Sequence, residues 1–486
     1  MIVKTEPGQF ISYLEDTSNL KGKADVLYIP ENKHEISYIL SKCNSKDIPV
    51  TCSGARTGTT GGCVPLEGAL LSLERLNHIN DIDVKKKKVT VEGGVSLSAL
   101  EAELNKVGLT FRAQPTESLA LVGAAASTCA SGVRGVKYGS IRNYIRKIEV
   151  VLADGTIVTI KRGMIKANRR KFLFSLQNRS FEFSLPTYRL PKVKTQAGYF
   201  VYDNMDLIDL FIGSEGTLGV IVELEIDVQD RASAVFDGVA FFPEERAGFM
   251  FLEAVREANS KGRISPASVE FFDSCSLQFL SEDYPDIPFK GAAIYFEQEI
   301  DKDSDDMMNV WIRLLEGCGV DLESVWFGES YEERARIYEF RHKLPQKINE
   351  FLRQYNQQKL STDIAVPAEH FYKMYDFYKE KANETGITYV NFGHVGEQHL
   401  HFNFLPRTDK EYALGKRVID EFVRFGVKLG GTVSAEHGIG KIKKDYLKIM
   451  YGKRHIEEMA RLKAYFDPNF ILGRDNIFDK NILGKL

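Results

Sequence analysis

Three segments of glycine and other small residues punctuate the first half of this 486-residue chain: Gly54-Ala55-Arg56-Thr57-Gly58-Thr59-Thr60-Gly61-Gly62, the run from Gly123 to Gly132, and Gly213-Ser214-Glu215-Gly216-Thr217-Leu218-Gly219. Glycine lets a backbone approach a ligand closely and reach positive φ, so that successive N–H groups can line a concave site for an anion. The first segment follows the strand-like Val50-Thr51-Cys52, but it opens no helix and no Gly-Lys-Ser/Thr closes it. It is therefore neither a Rossmann fingerprint nor a Walker loop. A nucleotide pyrophosphate is the natural occupant. Three such segments together point to an extended cofactor threaded between two subdomains.

The length exceeds a single hydrophobic core and predicts two or three domains. Ahead of residue 228 the pattern is of short strands and helices in alternation. A helix is expected over Asn32 to Asn44 and another over Leu97 to Lys106, with hairpins around Lys85-Lys86-Lys87-Lys88 and Asp154-Gly155. Residues 161–198, rich in Lys and Arg and without clear periodicity, read as a surface excursion. From Ala234 the order becomes strand, helix, strand, strand, repeated after Asp305, which predicts an antiparallel sheet covered by helices. The expected division is 1–228, 229–430, and a C-terminal segment, 431–486, that returns to the first domain. The fold class is α+β.

Lys and Arg (64) nearly balance Asp and Glu (67), a formal charge of -3 that leaves no electrostatic footprint for nucleic acid. The six cysteines are scattered with no C-x-x-C pair, which argues against a disulfide framework or an iron–sulfur cluster. The N-terminus carries no apolar core of signal-peptide length, and no apolar run is long enough for a transmembrane segment. The expectation is a soluble, cytoplasmic protein.

Four of the nine histidines lie between positions 394 and 437. Three stand in Gly393-His394-Val395-Gly396-Glu397-Gln398-His399-Leu400-His401, and the fourth in Ser434-Ala435-Glu436-His437-Gly438. Imidazole nitrogen with carboxylate oxygen makes a divalent-metal site of the zinc or manganese type. His399 and His401 are two apart, so on a strand they share a face. His394, between glycines, can fold back beside them.

Cys52-Ser53 with the first glycine segment resembles the pyrophosphate loop of the vanillyl-alcohol-oxidase type of FAD-binding fold. Pro115-Thr116-Glu117-Ser118, the run 123–132 and Tyr138-Gly139 resemble its second FAD-binding stretch, and residues 213–219 its "GSEGTLG" signature. The histidine segments resemble the metal and substrate motifs of that family's D-2-hydroxyacid dehydrogenase branch, which includes D-lactate dehydrogenases, the FAD subunit of glycolate oxidase and D-2-hydroxyglutarate dehydrogenases. The resemblance covers nearly the whole chain in order. It implies a two-subdomain FAD-binding domain plus an α+β cap domain with an antiparallel sheet.

Carried over residue by residue, it implies that FAD is held by Ser53, Gly54, Ala55, Arg56, Thr57, Gly58, Pro115, Thr116, Ser118, Gly123, Ser127, Thr128 and Gly132, with Val220 and Ile221 near the flavin or adenine. No histidine stands inside 54–62, where some relatives attach flavin, so the implied FAD is non-covalent. The metal ligands would be His394, His401 and Glu436, the base His437, and Asn403 a substrate contact. This chain departs from the family's "GHxGDGNLH" by placing Glu397-Gln398-His399 where Asp-Gly-Asn is usual. His399 is expected to support a ligand from behind. The usual terminal Asn-Pro-Gly-Lys reads Gly473-Arg474-Asp475-Asn476.

The implied reaction is oxidation of a D-2-hydroxy acid to the 2-oxo acid. The metal would hold the substrate hydroxyl and a carboxylate oxygen, His437 would take the hydroxyl proton, and hydride would pass to flavin N5. Arg341 or Lys359 would pair the substrate carboxylate. Arg341 is the better suited, because guanidinium offers two parallel hydrogen bonds. Asp363 is expected to order the cap, and Glu215 to bond its own glycine loop. Electrons would leave through a quinone, an electron-transfer protein, an iron–sulfur subunit or oxygen; a homodimer is compatible. Two other readings stand beside this one. One is a non-redox synthase resembling alkylglycerone-phosphate synthase, which lacks the metal set. The other is a non-catalytic FAD-binding subunit.

Overall fold

In a computed structural model of the chain, the described residues are 1–176, 179–288, 290–300, 305–328 and 330–484. The first layer is a four-stranded sheet in which Val26–Ile29, Ala69–Ser72 and Val50–Ser53 run parallel and Ile2–Lys4 adds an antiparallel edge. Ala69–Ser72 is buried throughout, as expected of an inner parallel strand covered on both faces. The helix Lys33–Asn44 begins where Asn32 accepts hydrogen bonds from the N–H groups of His34 and Glu35. It buries Ile36, Ile39, Leu40 and Cys43 at helical spacing. These side chains share a core with Val50, Leu71, Val151, Val220, Ile471 and Leu472. Late residues pair with this sheet: Val50 donates to Ile471 O at 2.7 Å, and Gly473 donates to Val50 O at 2.9 Å.

A second, antiparallel sheet has the order Ile79–Asp83, Lys88–Glu92, Val220–Asp227, Ile145–Val151, Ile157–Lys161. The lysine run turns its first hairpin, with Asp83 accepting from the N–H of Lys86 at 3.0 Å. Asp154-Gly155 turns the other. The short helix Val122–Ser127 lies against this sheet. Gly123 is required there, since a Cβ would sit 2.8 Å from Gly93 O.

Residues 161–198 are not a surface excursion. Lys171–Leu176 and Arg179–Ser184 form an antiparallel hairpin whose Phe172, Phe181 and Phe183 are buried, and Phe183 meets the rings of Tyr465 and Phe466. A period of two was present in the phenylalanines, hidden among basic residues.

The later half is built on a sheet whose main path is Trp326–Phe327, Ala234–Phe242, Ala292–Ile300, Pro266–Phe272, Tyr389–Gly393, His399–Phe404 and Leu360–Ser361. Ile364–Ala365 also pairs with His399–Phe404, and every pairing is antiparallel. Alternation along Ala234–Phe242 sends Ala240 and Phe242 to one core, with Phe251 and Trp311 from the helices Glu245–Ser260 and Asp305–Gly317. Val239 and Phe241 go to the opposite core, with Phe340 and Leu344 from the helix Tyr331–Gln354. Helices on both faces explain why Ala292–Phe296 is apolar and buried at successive positions rather than at alternate ones. The strand–helix–strand–strand order is interrupted by the helix Ser274–Leu280, so the two halves of this unit are only loosely alike.

Candidate functional site

Tyr389–Gly393 and His399–Phe404 form one hairpin, and its connection carries His394 followed by a tight turn over Val395–Glu397. Gln398 completes the turn at φ 54°. Beyond it, His399 and His401 project from the same face of the strand, their ring centroids 4.5 Å apart. The His394 ring folds back to 5.6 Å from His399 and 5.5 Å from His401. Glu436 enters from the loop after the helix Asp409–Lys428. Its Oε2 lies 3.3 Å from His394 Nε2, 4.0 Å from His399 Nδ1 and 3.9 Å from His401 Nε2. The other carboxylate oxygen, Oε1, accepts from Lys194 Nζ and, at 3.3 Å, from Ser131 Oγ.

Asp363 is the hub behind this cluster. Its carboxylate stands 2.9 Å from His399 Nε2 and 3.3 Å from His437 Nδ1, and accepts from Lys443 Nζ and Ser434 Oγ, both at 2.7 Å. It also accepts from the backbone N–H groups of Glu436 and His437. Asp363 thus orders the loop of Ser434 to His437, which lies outside the expected cap. Glu215 does not bond its own glycine loop. It reaches across to accept from the N–H groups of Ile439 at 2.7 Å and Gly440 at 2.6 Å, gripping the same site loop from the other side.

The charges are strongly coupled. Burial opposes ionisation of Glu436, but His394 and Lys194 outweigh it and hold the carboxyl well below its usual range. Burial also opposes charge on His394, yet Glu436 and Glu270 raise it to about 9. Glu270 is held at about 2, burial being overcome by Arg341 and His394. Burial pushes His437 down to about 4 against the pull of Asp363, so its ring is neutral near pH 7.

One cavity joins this cluster to the glycine segments. Its wall includes Ser53 to Thr60, Pro115 to Glu117, Gly123, Ser127, Thr128, Val220 and Ile221, and it ends at His394, His401, Glu436 and His437. Among the described residues, none accepts a hydrogen bond from the backbone N–H groups of 55–59. That leaves an open row of donors of the kind a pyrophosphate occupies. Ser118 and Gly132 are not on the wall. A Cβ on Gly132 would meet Gln114 O at 2.4 Å, so this glycine lets the Pro115-Thr116 stretch approach.

Two expected residues are placed differently. Arg341 is off the wall, its guanidinium paired with the buried Glu270, whose Oε1 faces His394 Nδ1 at 2.9 Å. It is not free to clamp a substrate carboxylate in this arrangement. Asn403 is buried on the strand of His401 and donates from Nδ2 to His401 O at 2.7 Å. Two residues went unnoticed in the sequence. Glu270 carried no local signal, since only the pairing of Pro266–Phe272 with Tyr389–Gly393 brings it to His394. Lys194, which also bonds Glu397 at 2.6 Å, was hidden in the basic stretch.

The FAD binding domain family matches residues 24–161, and the family of FAD linked oxidases, C-terminal domain, matches residues 238–477. The chain is 27% identical to the glycolate oxidase subunit GlcD of Bacillus subtilis over 98% of this chain and 93% of that one. It is 28% identical to a D-lactate dehydrogenase of Anaerostipes hadrus over 96% and 92%. Among solved structures, p-cresol methylhydroxylase with substrate bound superposes with a TM-score of 0.72 at 14% identity, covering 99% of this chain and 94% of that one. Alkyldihydroxyacetonephosphate synthase gives 0.67 at 16%, covering 97% and 82%, a likeness of fold alone. The chain belongs to the FAD-linked oxidases, with the vanillyl-alcohol-oxidase type of fold. These families are FAD-linked oxidoreductases.

Proposed function

We propose that this chain oxidises a small D-2-hydroxy acid to the 2-oxo acid, with FAD held non-covalently in the cleft and a divalent metal ion at the histidine–glutamate cluster. The observation that carries this reading is the single cavity running from the glycine segments to His394, His401, Glu436 and His437. The donor set fits a metal ion: buried imidazole nitrogens and a carboxylate oxygen converge with no hydrogen bonds among them at His399 Nδ1. The relatives named D-lactate dehydrogenase, glycolate oxidase subunit and D-2-hydroxyglutarate dehydrogenase support the substrate class.

When bound, FAD supplies a two-electron acceptor and a divalent ion supplies Lewis acidity toward the substrate hydroxyl. The rest falls to the protein. Asp363 against Nδ1 of His437 places that ring's proton on the far side from the cavity, leaving Nε2 to accept the hydroxyl proton. Burial keeps the ring neutral and ready as a base. Lys194 engages Oε1 of Glu436, so that Oε2 is the oxygen turned to the imidazoles. Arg341 acts as a positioning residue, fixing Glu270 behind His394. Val220 and Ile221 line the cleft wall between the glycine segments and exclude water from it. Electrons then leave to an acceptor outside this chain.

The test is an anaerobic visible spectrum of the FAD-loaded, metal-replete protein titrated with D- and L-2-hydroxy acids. Bleaching of the flavin band by a D-acid and not its L-enantiomer is the expected result. A flavin band that no 2-hydroxy acid bleaches overturns the proposal.

A further inference from the structure

All three imidazoles at the cluster are built to one plan. Each turns an inner nitrogen toward Oε2 of Glu436 and an outer nitrogen toward a fixed oxygen. For His394 the outer atom, Nδ1, stands 2.9 Å from Glu270 Oε1. For His401 it is Nδ1, 3.5 Å from the carbonyl oxygen of Thr362. For His399 it is Nε2, 2.9 Å from Asp363 Oδ1. An outer carboxylate or carbonyl is what fixes the tautomer of a metal-bound histidine, leaving the inner nitrogen's lone pair for the ion.

His399 fits this plan as fully as the other two. It is 0% exposed, and neither ring nitrogen has a hydrogen-bond partner of good geometry among the described residues: Nε2 is at 2.9 Å from Asp363 Oδ1, while Nδ1 has only Glu436 Oε2, at 4.0 Å. A residue that merely supported a ligand from behind would use that nitrogen on the ligand or fill the space with an apolar group, because a buried ring nitrogen without a partner is unfavourable. Nδ1 instead points at the same carboxylate oxygen as His394 and His401, and the ligating atoms of all four residues lie within 4.8 Å of one another. Two atoms each bound at ~2.1 Å stand about 3.0–3.4 Å apart across octahedral or tetrahedral angles, and an ion with these four ligands in an expanded shell keeps a position for the substrate hydroxyl. The separations from Glu436 Oε2 of 3.3, 4.0 and 3.9 Å are those of a cage slightly open around such an ion.

We infer that His399 is a third imidazole ligand, so that this chain holds its divalent ion through His394, His399, His401 and Glu436. This rests on the metal-assisted reading above and goes further, since the family pattern has asparagine at this position. A set of three imidazoles and one carboxylate favours zinc, cobalt and nickel over the harder manganese and magnesium.

The experiment compares FAD-loaded wild type with His399→Asn, His399→Gln, Asp363→Asn and Glu436→Gln. Zinc affinity is read by competition with a chromophoric chelator, the visible ligand-field spectrum is recorded with cobalt(II), and imidazole ligands are counted by X-ray absorption of the zinc-loaded protein. Three imidazoles in wild type and two in both His399 variants are expected, with an altered cobalt spectrum. The loss of zinc affinity should exceed the roughly 10–100-fold that follows removal of an outer partner, for which Asp363→Asn is the internal reference. Flavin content equal to wild type establishes that each variant is folded. Two imidazoles in wild type, with a cobalt spectrum unchanged by His399→Asn, overturn the role of His399 and leave the metal reading intact. Wild type that takes up neither zinc nor cobalt overturns both.

Discussion

Oδ2 of Asp363 stands 3.3 Å from Nδ1 of His437. The two are 74 positions apart in the chain, and the same carboxylate takes the backbone N–H of His437 at 3.0 Å. The ring and its backbone are thereby held by one group, which fixes where the ring sits and turns Nδ1 to the carboxylate. His437→Asn is expected to slow anaerobic flavin reduction by roughly 10²–10⁴-fold, with FAD content unchanged. Reduction at the wild-type rate would remove His437 from the chemistry.

Lys194 lies between two acids, bonded to Glu397 at 2.6 Å and to Glu436. Lys194→Met leaves the half-buried Glu397 without this cation and the buried Glu436 with His394 alone, at a cost of up to about 3–5 kcal/mol in the metal-free protein. A divalent ion restores part of the missing charge. The thermal midpoint of Lys194→Met should therefore fall without zinc and rise more on adding zinc than wild type does. Equal zinc-induced shifts would count against this balance of charge.

Arg341 offers a clean choice between two roles. If it holds Glu270 against His394, Arg341→Ala lowers zinc affinity, while the conservative Arg341→Lys retains most of it. If it binds substrate, KM rises about tenfold or more (roughly 1.4 kcal/mol per factor of ten) and zinc affinity stays. The pairing with Glu270 predicts the first result.

Lys441 is 9% exposed, and its ammonium donates to Asn476 Oδ1 at 2.7 Å. Burial lowers its pKa from 10.5 to about 8. Between pH 8 and 10.5 the unfolded chain still carries this proton and the folded one has lost it, so the unfolded state binds more protons and stability rises with pH across that window. Below pH 8 both states are protonated and the penalty is constant. Lys441→Met should remove this contribution, and denaturant midpoints from pH 7 to 10.5 should show a less positive slope than wild type. Parallel curves would contradict the assignment.

What the sequence disclosed, and what it withheld, follows physical range. The helix Lys33–Asn44 was readable because its cap, Asn32, and its apolar spacing are local. The shared face of His399 and His401 was readable because strand geometry alone dictates it. So was the strand at Ala234–Phe242. Glu270 was not, because its nearness to His394 depends on a strand pairing across more than a hundred residues. Lys194 and the hairpin at Lys171–Ser184 were masked by charged residues that point outward while their neighbours point in. The guanidinium of Arg341 suits a substrate carboxylate by its chemistry alone, and only the fold reveals that the partner within reach is Glu270.

The pairing of Val50 with the chain around Ile471 and Leu472 has a consequence for biosynthesis. The strand that leads into the first glycine loop acquires its last neighbour from residues translated some four hundred positions later. Lys441 N–H to Thr60 O at 2.9 Å and Asn476 Nδ2 to Gly62 O at 2.9 Å close the same loop from the same late segment. Contacts of such long range are slow to form, and they lie beyond the reach of a nascent chain whose end is still in the ribosome. A chain stopped short of Leu472 would already hold the histidine–glutamate cluster and the Lys441 contact to Thr60, yet it would lack the contacts of Gly473 to Val50 and of Asn476 to Gly62. The backbone around Val50 and Gly62 thus takes its final partners, Gly473 and Asn476, only from residues near the C-terminal end of the described chain.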